Sequence, residues 1–161
     1  MYIELEVMIE REPAEVFAFL RDKDLYPQEP GSPVLALDQL TPDPPGVGTR
    51  YREVVRVLPF VRVVIVSEVT RFDPPHHLEE DFEGGGVRGH LAYEFVPRDG
   101  GTQLIQRETV EAVGAMRVFA ALAWRSLGPR LRERLDGIKR DLDSGWVVDL
   151  DRSRRQESAS G

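Results

Sequence analysis

Residues 77–110 read HLEEDFEGGGVRGHLAYEFVPRDGGTQLIQRETV, and their pattern predicts consecutive β-hairpins. Apolar and polar residues alternate along three runs, which is the period of a half-buried strand. Glycine-rich turns at 84–86 and 99–101 separate these runs. Because the alternation continues upstream, we predict a meander of five antiparallel strands at residues 49–57, 61–72, 77–83, 88–96 and 102–110.

A strand, short helices and another strand precede the meander. Residues 2–9 alternate like a strand, and Pro13 and Glu15 then suit the first turn of a short helix. A second, weaker helical turn is predicted at 22–27. Proline-rich loops then bracket a strand at 34–40.

A long helix follows the meander. Between residues 115 and 143 apolar residues are spaced three and four apart, which predicts a helix of about 43 Å at 1.5 Å per residue. Pro129 removes a backbone donor there, so we expect a kink or a break near Gly128. Residues 144–161 form a C-terminal extension, and we expect its last ten residues to be disordered. Its segment 146–150 (WVVDL) is left open as an edge strand, a docking segment or a frayed end.

Composition fits a single domain, which we place at residues 1–143. The chain has 161 residues and no cysteine, which excludes disulfides, thiolate zinc sites and cysteine nucleophiles. A formal net charge of −7 argues against nucleic acid as a partner. No apolar run approaches the ~20 residues of a membrane span. We therefore expect a cytoplasmic protein with no stable membrane insertion, no metal and no cofactor.

The predicted order of elements is that of the α+β helix-grip fold, in which a curved sheet of about seven strands wraps around a long C-terminal helix. Several stretches resemble the polyketide cyclase/dehydrase and lipid-transport branch of the START-related (SRPBCC) superfamily over residues 1–143. They are 12–20 (EPAEVFAFL) with Asp22, 48–51 (GTRY), 72–75 (FDPP), 93–95 (YEF) before 100–102 (GGT), and 131–142. The resemblance implies an elongated apolar cavity between sheet and helix. It implies no reaction, because the superfamily has no universal catalytic motif.

One strand parity collects most apolar residues on the inner face and also places a polar band across it. The band comprises Glu53, Ser67, Glu80 and Glu108, with Tyr51, Tyr93 and Gln106 nearby. Either buried carboxylates raise one another's pKa values and act as a general acid or base, or they lie in water or pair with arginines such as Arg50 and Arg107. The latter interpretation is favoured.

On the outer face, the same parity predicts cross-strand charge pairs. They are Arg52 with Glu68, His90 with Asp81, Arg88 between Glu83 and Glu111, and His77 with Glu94. The triple glycine at 84–86 makes a register slip conceivable. A local basic patch of Arg50, Arg52, Arg56 and Arg62 could meet an anionic headgroup or nucleic acid, and we favour a solvated face paired with Glu68.

The leading functional prediction is binding or transport of a small hydrophobic molecule, such as a lipid, a quinone or a polyketide-like compound, in the cavity. The ligand-binding residues would be Tyr51, Val55, Ile65, Phe82, Leu91, Tyr93, Phe95, Leu104, Gln106, Glu108, Phe119, Ala123 and Leu127. Pockets of this class are mostly apolar and hold a few polar groups that orient the ligand.

Two alternatives stay open. An enzyme similar to aromatase/cyclases would carry out lyase or isomerase chemistry without metal, with Glu53, Glu80, Glu108, Tyr51 and Tyr93 as candidate catalytic residues. An interaction module would instead fill its own core. The broad apolar surface of residues 116–127, which includes Leu122 and Trp124, would then pair with another subunit and leaves a homodimer open. We favour a protein without enzymatic activity.

Overall fold

The computed structural model describes residues 1–23, 34–42, 44–58, 61–118 and 120–145, apart from the side chains of residues 57, 58, 61, 120–124 and 126. In chain order the elements are β1 (Tyr2–Ile9), α1 (Pro13–Arg21), β2 (Val34–Gln39), β3 (Arg50–Leu58), β4 (Val61–Asp73), β5 (His77–Gly84), β6 (Val87–Arg98), β7 (Gly101–Ala112), a 3₁₀ helix (Gly114–Val118) and α2 (Ala120–Ser144). The helical turn predicted at 22–27, from residue 24 onward, and the C-terminal extension beyond Gly145 lie outside the described residues.

The seven strands form one antiparallel sheet in the order β1-β7-β6-β5-β4-β3-β2. This arrangement, with α2 after the last strand, confirms the helix-grip fold and the predicted meander. The register also confirms three predicted cross-strand pairs. They are His90 with Asp81, Arg88 between Glu83 and Glu111, and His77 with Glu94. The glycine turn causes no slip, because β5 and β6 pair without a register shift.

The predicted pairing of Arg52 with Glu68 is wrong, because Arg50 lies opposite Glu68. A β-bulge between Arg56 and Leu58 shifts the register near the hairpin turn. Only residues 59 and 60 separate β3 from β4. The error amounts to an even number of residues, so every side chain keeps its predicted face.

Helix α2 packs one apolar stripe against the sheet. The buried residues of this stripe are spaced four, three and four apart, as expected for one helix face: Leu131, Leu135, Ile138 and Leu142. Of the kink or break expected near Gly128, the break does not occur, because α2 continues through Pro129. A separate 3₁₀ helix instead precedes α2. None of the described helices is long and apolar enough to cross a membrane.

Two basic side chains of α2 form hydrogen bonds with the backbone of β1, which is an edge strand of the sheet. Arg132 donates a hydrogen bond to the carbonyl of Glu6 at 2.8 Å, and Lys139 donates one to the carbonyl of Met8 at 2.7 Å. An uncovered edge strand exposes backbone groups that can pair with another chain. These contacts therefore both orient α2 and cover the edge.

Helix α1 covers one half of the inner face of the sheet. It begins at Pro13, and the N–H of Glu12 donates to the carboxylate of Glu15 at 3.2 Å. The ring of Phe17 meets Phe72 edge-on at 5.4 Å between centroids and lies 5.2 Å from Phe95. With α2, this helix closes a core that comprises Val16, Phe17, Phe19, Leu20, Val69, Leu78, Phe95, Leu104, Leu135 and Ile138.

The other half of the inner face is less covered. Its apolar side chains are only half-buried: Val55, Val63, Ile65, Phe82 and Leu91. The inner face thus divides into a filled half beneath α1 and an apolar half that keeps accessible surface. Every described polar residue of the predicted band lies on this inner face, close to the division between the two halves.

Candidate functional site

A buried lysine organises the first part of the polar band. Lys23 follows α1 and is 6% exposed. Its ammonium group donates to Glu53 at 3.1 Å, to Ser67 Oγ at 3.2 Å, and to Glu80. An ammonium group has three N–H donors, and the three acceptors come from β3, β4 and β5. Lys23 thereby ties the end of α1 to three adjacent strands.

The local chemistry explains why the cation stays charged in the interior. Burial lowers the pKa of Lys23, but the charges of Glu80 and Glu53 and their hydrogen bonds outweigh burial and leave that pKa raised. The Nζ atom also lies 4.7 Å from the ring centroid of Tyr51, over a face that attracts cations. We call Lys23, Glu53, Ser67 and Glu80 the lysine cluster.

Neither arginine expected to neutralise the carboxylates does so. Arg50 faces Glu68 on the outer side of the sheet at 3.7 Å. Arg107 is bonded there to Glu4 at 2.7 Å and to Glu94 at 2.8 Å. Strand parity is the physical reason. Arg50 lies two residues from Arg52 on β3, and Arg107 lies two residues from Ile105, the partner of Glu94, so both arginines are on the outer face.

The lysine was missed because no periodic pattern surrounds it. One feature of the sequence could have identified it, namely that position 23 has a lysine in a chain whose basic residues are nearly all arginines. Of the 21 lysine and arginine residues, only Lys23 and Lys139 are lysines. A compact ammonium group suits a closed site with three separate oxygen acceptors, whereas the planar guanidinium of arginine suits paired oxygens.

The second part of the band holds two buried polar atoms without partners among the described residues. Tyr93 and Gln106 lie opposite each other on β6 and β7, and they are 2% and 1% exposed. The hydroxyl of Tyr93 and Oε1 of Gln106 make no hydrogen bond within that part of the chain. The Nε2 group of Gln106 donates to Glu108 at 3.1 Å. Buried polar groups are nearly always bonded, so these two atoms are exceptions within the described part of the chain.

Burial raises the pKa values of both Tyr93 and Glu108. It raises the pKa of Tyr93 to about 12, against an opposing effect of Arg134, so the phenol keeps its proton at neutral pH. Burial also raises the pKa of Glu108, while Arg134 and the hydrogen bond from Gln106 act in the opposite direction. We call Tyr93, Gln106 and Glu108 the tyrosine cluster.

Replacing Glu108 by glutamine should stabilise the protein more as the pH rises. A raised pKa means that the folded state disfavours the carboxylate form of Glu108. Its ionisation therefore costs no stability below pH 4.5, the ordinary pKa, and lowers the free energy of unfolding increasingly as the pH rises from there through the raised pKa. Urea unfolding of wild type and Glu108→Gln from pH 4 upward measures this difference. Glu133→Gln, at an exposed position on α2, should show no comparable trend. A pH-independent difference at position 108 would contradict the prediction.

The apolar residues predicted to bind a ligand occupy two different environments. Val55, Ile65, Phe82, Leu91 and Leu127 are half-buried. Phe95 and Leu104 belong instead to the filled core beneath α1, being 1% and 0% exposed. Phe119 and the side chain of Ala123 lie outside the described residues. Of the half-buried residues, Leu91 adjoins the tyrosine cluster, because it lies directly opposite Glu108.

The described residues form recesses at the surface. An open recess of about 730 Å³ lies on the outer face, but its charges compensate one another through the pairs Arg50–Glu68, Arg88–Glu111 and His90–Asp81. A recess of about 290 Å³ lies between the end of α1 and the loop before β3, with Lys23 and Tyr51 in its lining. The unpartnered atoms favour the inner face over the larger outer recess.

Comparisons with known proteins agree with this architecture. A family model described as "Polyketide cyclase / dehydrase and lipid transport" matches residues 2–143. A solved structure from Thermus thermophilus has a TM-score of 0.73 at 20% identity, over 90% of this chain and 99% of the other. A START superfamily protein from Mycobacterium smegmatis gives 0.72 at 14% identity over 89% and 97%. A conserved protein from Geobacillus kaustophilus gives 0.66 at 18% over 90% and 97%. The comparison with curated proteins gave no match.

Proposed function

Because the chain belongs to the polyketide cyclase/dehydrase and lipid transport family, we propose that it binds a small, mostly apolar molecule between the sheet and α2. The apolar part of the ligand would contact Val55, Ile65 and Leu91. A neutral hydroxyl group of the ligand would accept from Tyr93 and donate to Oε1 of Gln106, whereas a carbonyl group would accept from Tyr93 alone. Ligand pockets commonly combine an apolar lining with a few polar groups in this way.

One observation carries the proposal. A phenol hydroxyl and an amide oxygen, both buried and lacking partners among the described residues, lie side by side on adjacent strands. Leaving such a group unbonded costs about 1–3 kcal/mol. A hydroxyl group of a ligand could donate to the oxygen of Gln106 and accept from Tyr93, which would remove both penalties. The half-buried apolar residues beside them support the same location.

The charges around the site favour a neutral polar group over a carboxylate. The carboxyl group of Glu108 adjoins the unpartnered atoms through its bond with Gln106. Lys23 is held by Glu53 and Glu80 rather than turned toward Tyr93. An anionic ligand would therefore meet a carboxyl group. The charge of Arg134 reaches both Tyr93 and Glu108, and that of Lys23 reaches Tyr93, but Lys23 is already neutralised by its two carboxylates. Long-chain alcohols, quinones and phenols fit this description better than fatty acids.

The direct test is native mass spectrometry of the purified protein, followed by solvent extraction and identification of bound molecules. A co-purifying apolar molecule with a hydroxyl or carbonyl group would support the proposal. A protein that carries nothing and also fails to bind alcohols, quinones and phenols would contradict it.

Removing the Tyr93 hydroxyl should weaken binding without harming the fold. We expect Tyr93→Phe to bind 2-naphthol about fivefold more weakly, since one hydrogen bond contributes about 1 kcal/mol. Its affinity for naphthalene, which has no hydroxyl group, should not change. Its stability should not fall, because the substitution removes an unbonded buried group. Titration calorimetry and urea unfolding measure the two effects, and Tyr2→Phe on the exposed outer face is the matched control. An equal loss for both probes would refute the role of the hydroxyl.

The geometry narrows the enzymatic alternative to one pair of residues. Glu53 and Glu80 are engaged by Lys23 and are poorly placed to move protons. Glu108 has a raised pKa and lies in the same cluster as Tyr93, whose hydroxyl could donate to a carbonyl oxygen and polarise it. An enzyme of this kind would lose turnover in Glu108→Gln and keep its affinity. A binding protein would show no turnover in either form.

A further inference from the structure

The side-chain amide of Gln106 can offer the site either a hydrogen-bond donor or an acceptor. In the structure its Nε2 group donates to Oε2 of Glu108 at 3.1 Å. This bond leaves Oε1 as a buried acceptor without a partner among the described residues, on the strand next to the Tyr93 hydroxyl, which also lacks one there. An ionised carboxylate accepts hydrogen bonds and donates none. The observed orientation of the amide is therefore the one that an ionised Glu108 requires.

A protonated Glu108 would require the opposite orientation, because its carboxyl group then carries an O–H donor. The residues opposite Glu108 on the two neighbouring strands are Ile3 and Leu91, whose side chains offer no acceptor. The amide of Gln106 already lies within hydrogen-bond distance, and half a turn exchanges its oxygen and nitrogen without changing the space that it fills. The turned amide accepts from Glu108 and presents Nε2 to the site.

We propose that protonation of Glu108 switches the ligand preference of the site from a hydroxyl to a carbonyl group, through this rotation of the Gln106 amide. The inference rests on the function proposed above. With Glu108 ionised, the Tyr93 O–H and the amide oxygen match a ligand hydroxyl, which accepts one bond and donates one. With Glu108 protonated, the Tyr93 O–H and Nε2 are two donors, which match the two lone pairs of a carbonyl oxygen.

The groups around Glu108 allow it to titrate while its neighbours keep their charge states. Burial raises the pKa of Glu108 from 4.5, against the charge of Arg134 on α2 and the hydrogen bond from the amide. Glu108 is half-buried, so protons reach it from solvent. Tyr93 on β6 has a pKa of about 12 and stays protonated, and Lys23 and Glu80, whose charges also act on it, are paired with each other. The carbonyl-binding form therefore predominates below the raised pKa of Glu108, and the hydroxyl-binding form above it.

Titration calorimetry with 2-naphthol and 2-tetralone, between about pH 4.5 and about pH 8, tests the switch with the full chain. The two probes share a bicyclic skeleton, and one carries a hydroxyl group where the other carries a carbonyl group. A mismatched probe leaves one buried polar group unpaired and should bind about fivefold more weakly, which corresponds to about 1 kcal/mol. The ratio of naphthol affinity to tetralone affinity should therefore rise about 25-fold as Glu108 ionises. The affinity for naphthalene should stay constant.

Two variants separate the switch from a general effect of pH. Glu108→Gln cannot ionise, so its affinity ratio should not depend on pH. The matched control is Glu6→Gln, which removes a carboxylate that accepts from Nε2 of Gln103 at 2.8 Å on the outer face, and it should keep the pH dependence of wild type. A constant ratio in wild type, or an unchanged pH dependence in Glu108→Gln, would overturn the switch and leave the proposed function standing. If none of the three probes bound at any pH, the proposed function would fail and the switch with it.

Discussion

Lys23→Met is expected to lower the free energy of unfolding by about 3–5 kcal/mol, the usual cost of removing one partner from a buried ion pair. Methionine keeps the length of the side chain, so the loss of the charge dominates over the loss of volume. Glu80 is 4% exposed and Glu53 only partly exposed, and both would lose their cation. Urea unfolding at neutral pH measures the effect.

Two further variants separate this mechanism from simple loss of packing. Adding Glu53→Gln and Glu80→Gln to Lys23→Met should recover most of the lost stability, because neutralising a buried charged set together is often nearly neutral. Lys139→Met removes the other lysine, which is more exposed and bonded to Asp143 and to the carbonyl of Met8, and should cost about 1–2 kcal/mol. If Lys23→Met cost no more than Lys139→Met, the lysine cluster would not be a structural centre.

Leu91→Trp is expected to reduce the affinity for 2-naphthol about a hundredfold, which corresponds to about 2.7 kcal/mol. Leu91 is half-buried and lies between Glu80 on β5 and Glu108 on β7. An indole at this position would occupy the space proposed for the apolar part of the ligand. The fold should tolerate it at a cost of about 1–3 kcal/mol, because the position is not tightly enclosed.

The neighbouring residue supplies a matched control. Ala92 points to the opposite face of the same strand, opposite Glu79 and Arg107. Ala92→Trp adds the same ring outside the proposed site and should leave naphthol affinity unchanged. Calorimetric titration of both variants decides between the two faces. Equal affinities for Leu91→Trp and wild type would place the ligand elsewhere or show that the inner face is filled by its own side chains.

Strand parity made much of the site predictable. Side chains alternate between the two faces along β6 and β7, which pair without a register shift, so strand parity alone assigned Leu91, Tyr93 and Gln106 to the inner face. The two-residue register error at Arg52 did not disturb this assignment, since side chains alternate with a period of two. Strand parity does not predict how far along the inner face a residue lies, and therefore how deeply it is buried. Phe95 therefore carried the same prediction as Leu91, although one lies in the filled core and the other does not.

The lysine cluster shows what strand parity alone leaves out. Glu53, Ser67 and Glu80 were correctly placed together, but their cation comes from a short segment after α1. No repeat marks that segment, and its position depends on how α1 packs on the sheet. The buried carboxylates of the polar band predicted that a cation lies near them. Three-dimensional packing was required to identify it as Lys23 rather than an arginine of the neighbouring strands.

The pairing of β1 with β7 has a consequence for how the protein is made. Tyr2 pairs with Thr109, so β1 is synthesised before every other strand of the sheet and can pair only after β7, the last of them, has been made. Contacts between residues so distant in sequence slow folding, because loop closure precedes the energetic gain. Until β7 emerges, β1 and the inner edge of β6 lack their neighbours. The hairpins from β3 to β6 can form locally meanwhile, which makes the completion of β1–β7 and the docking of α2 the late events of folding.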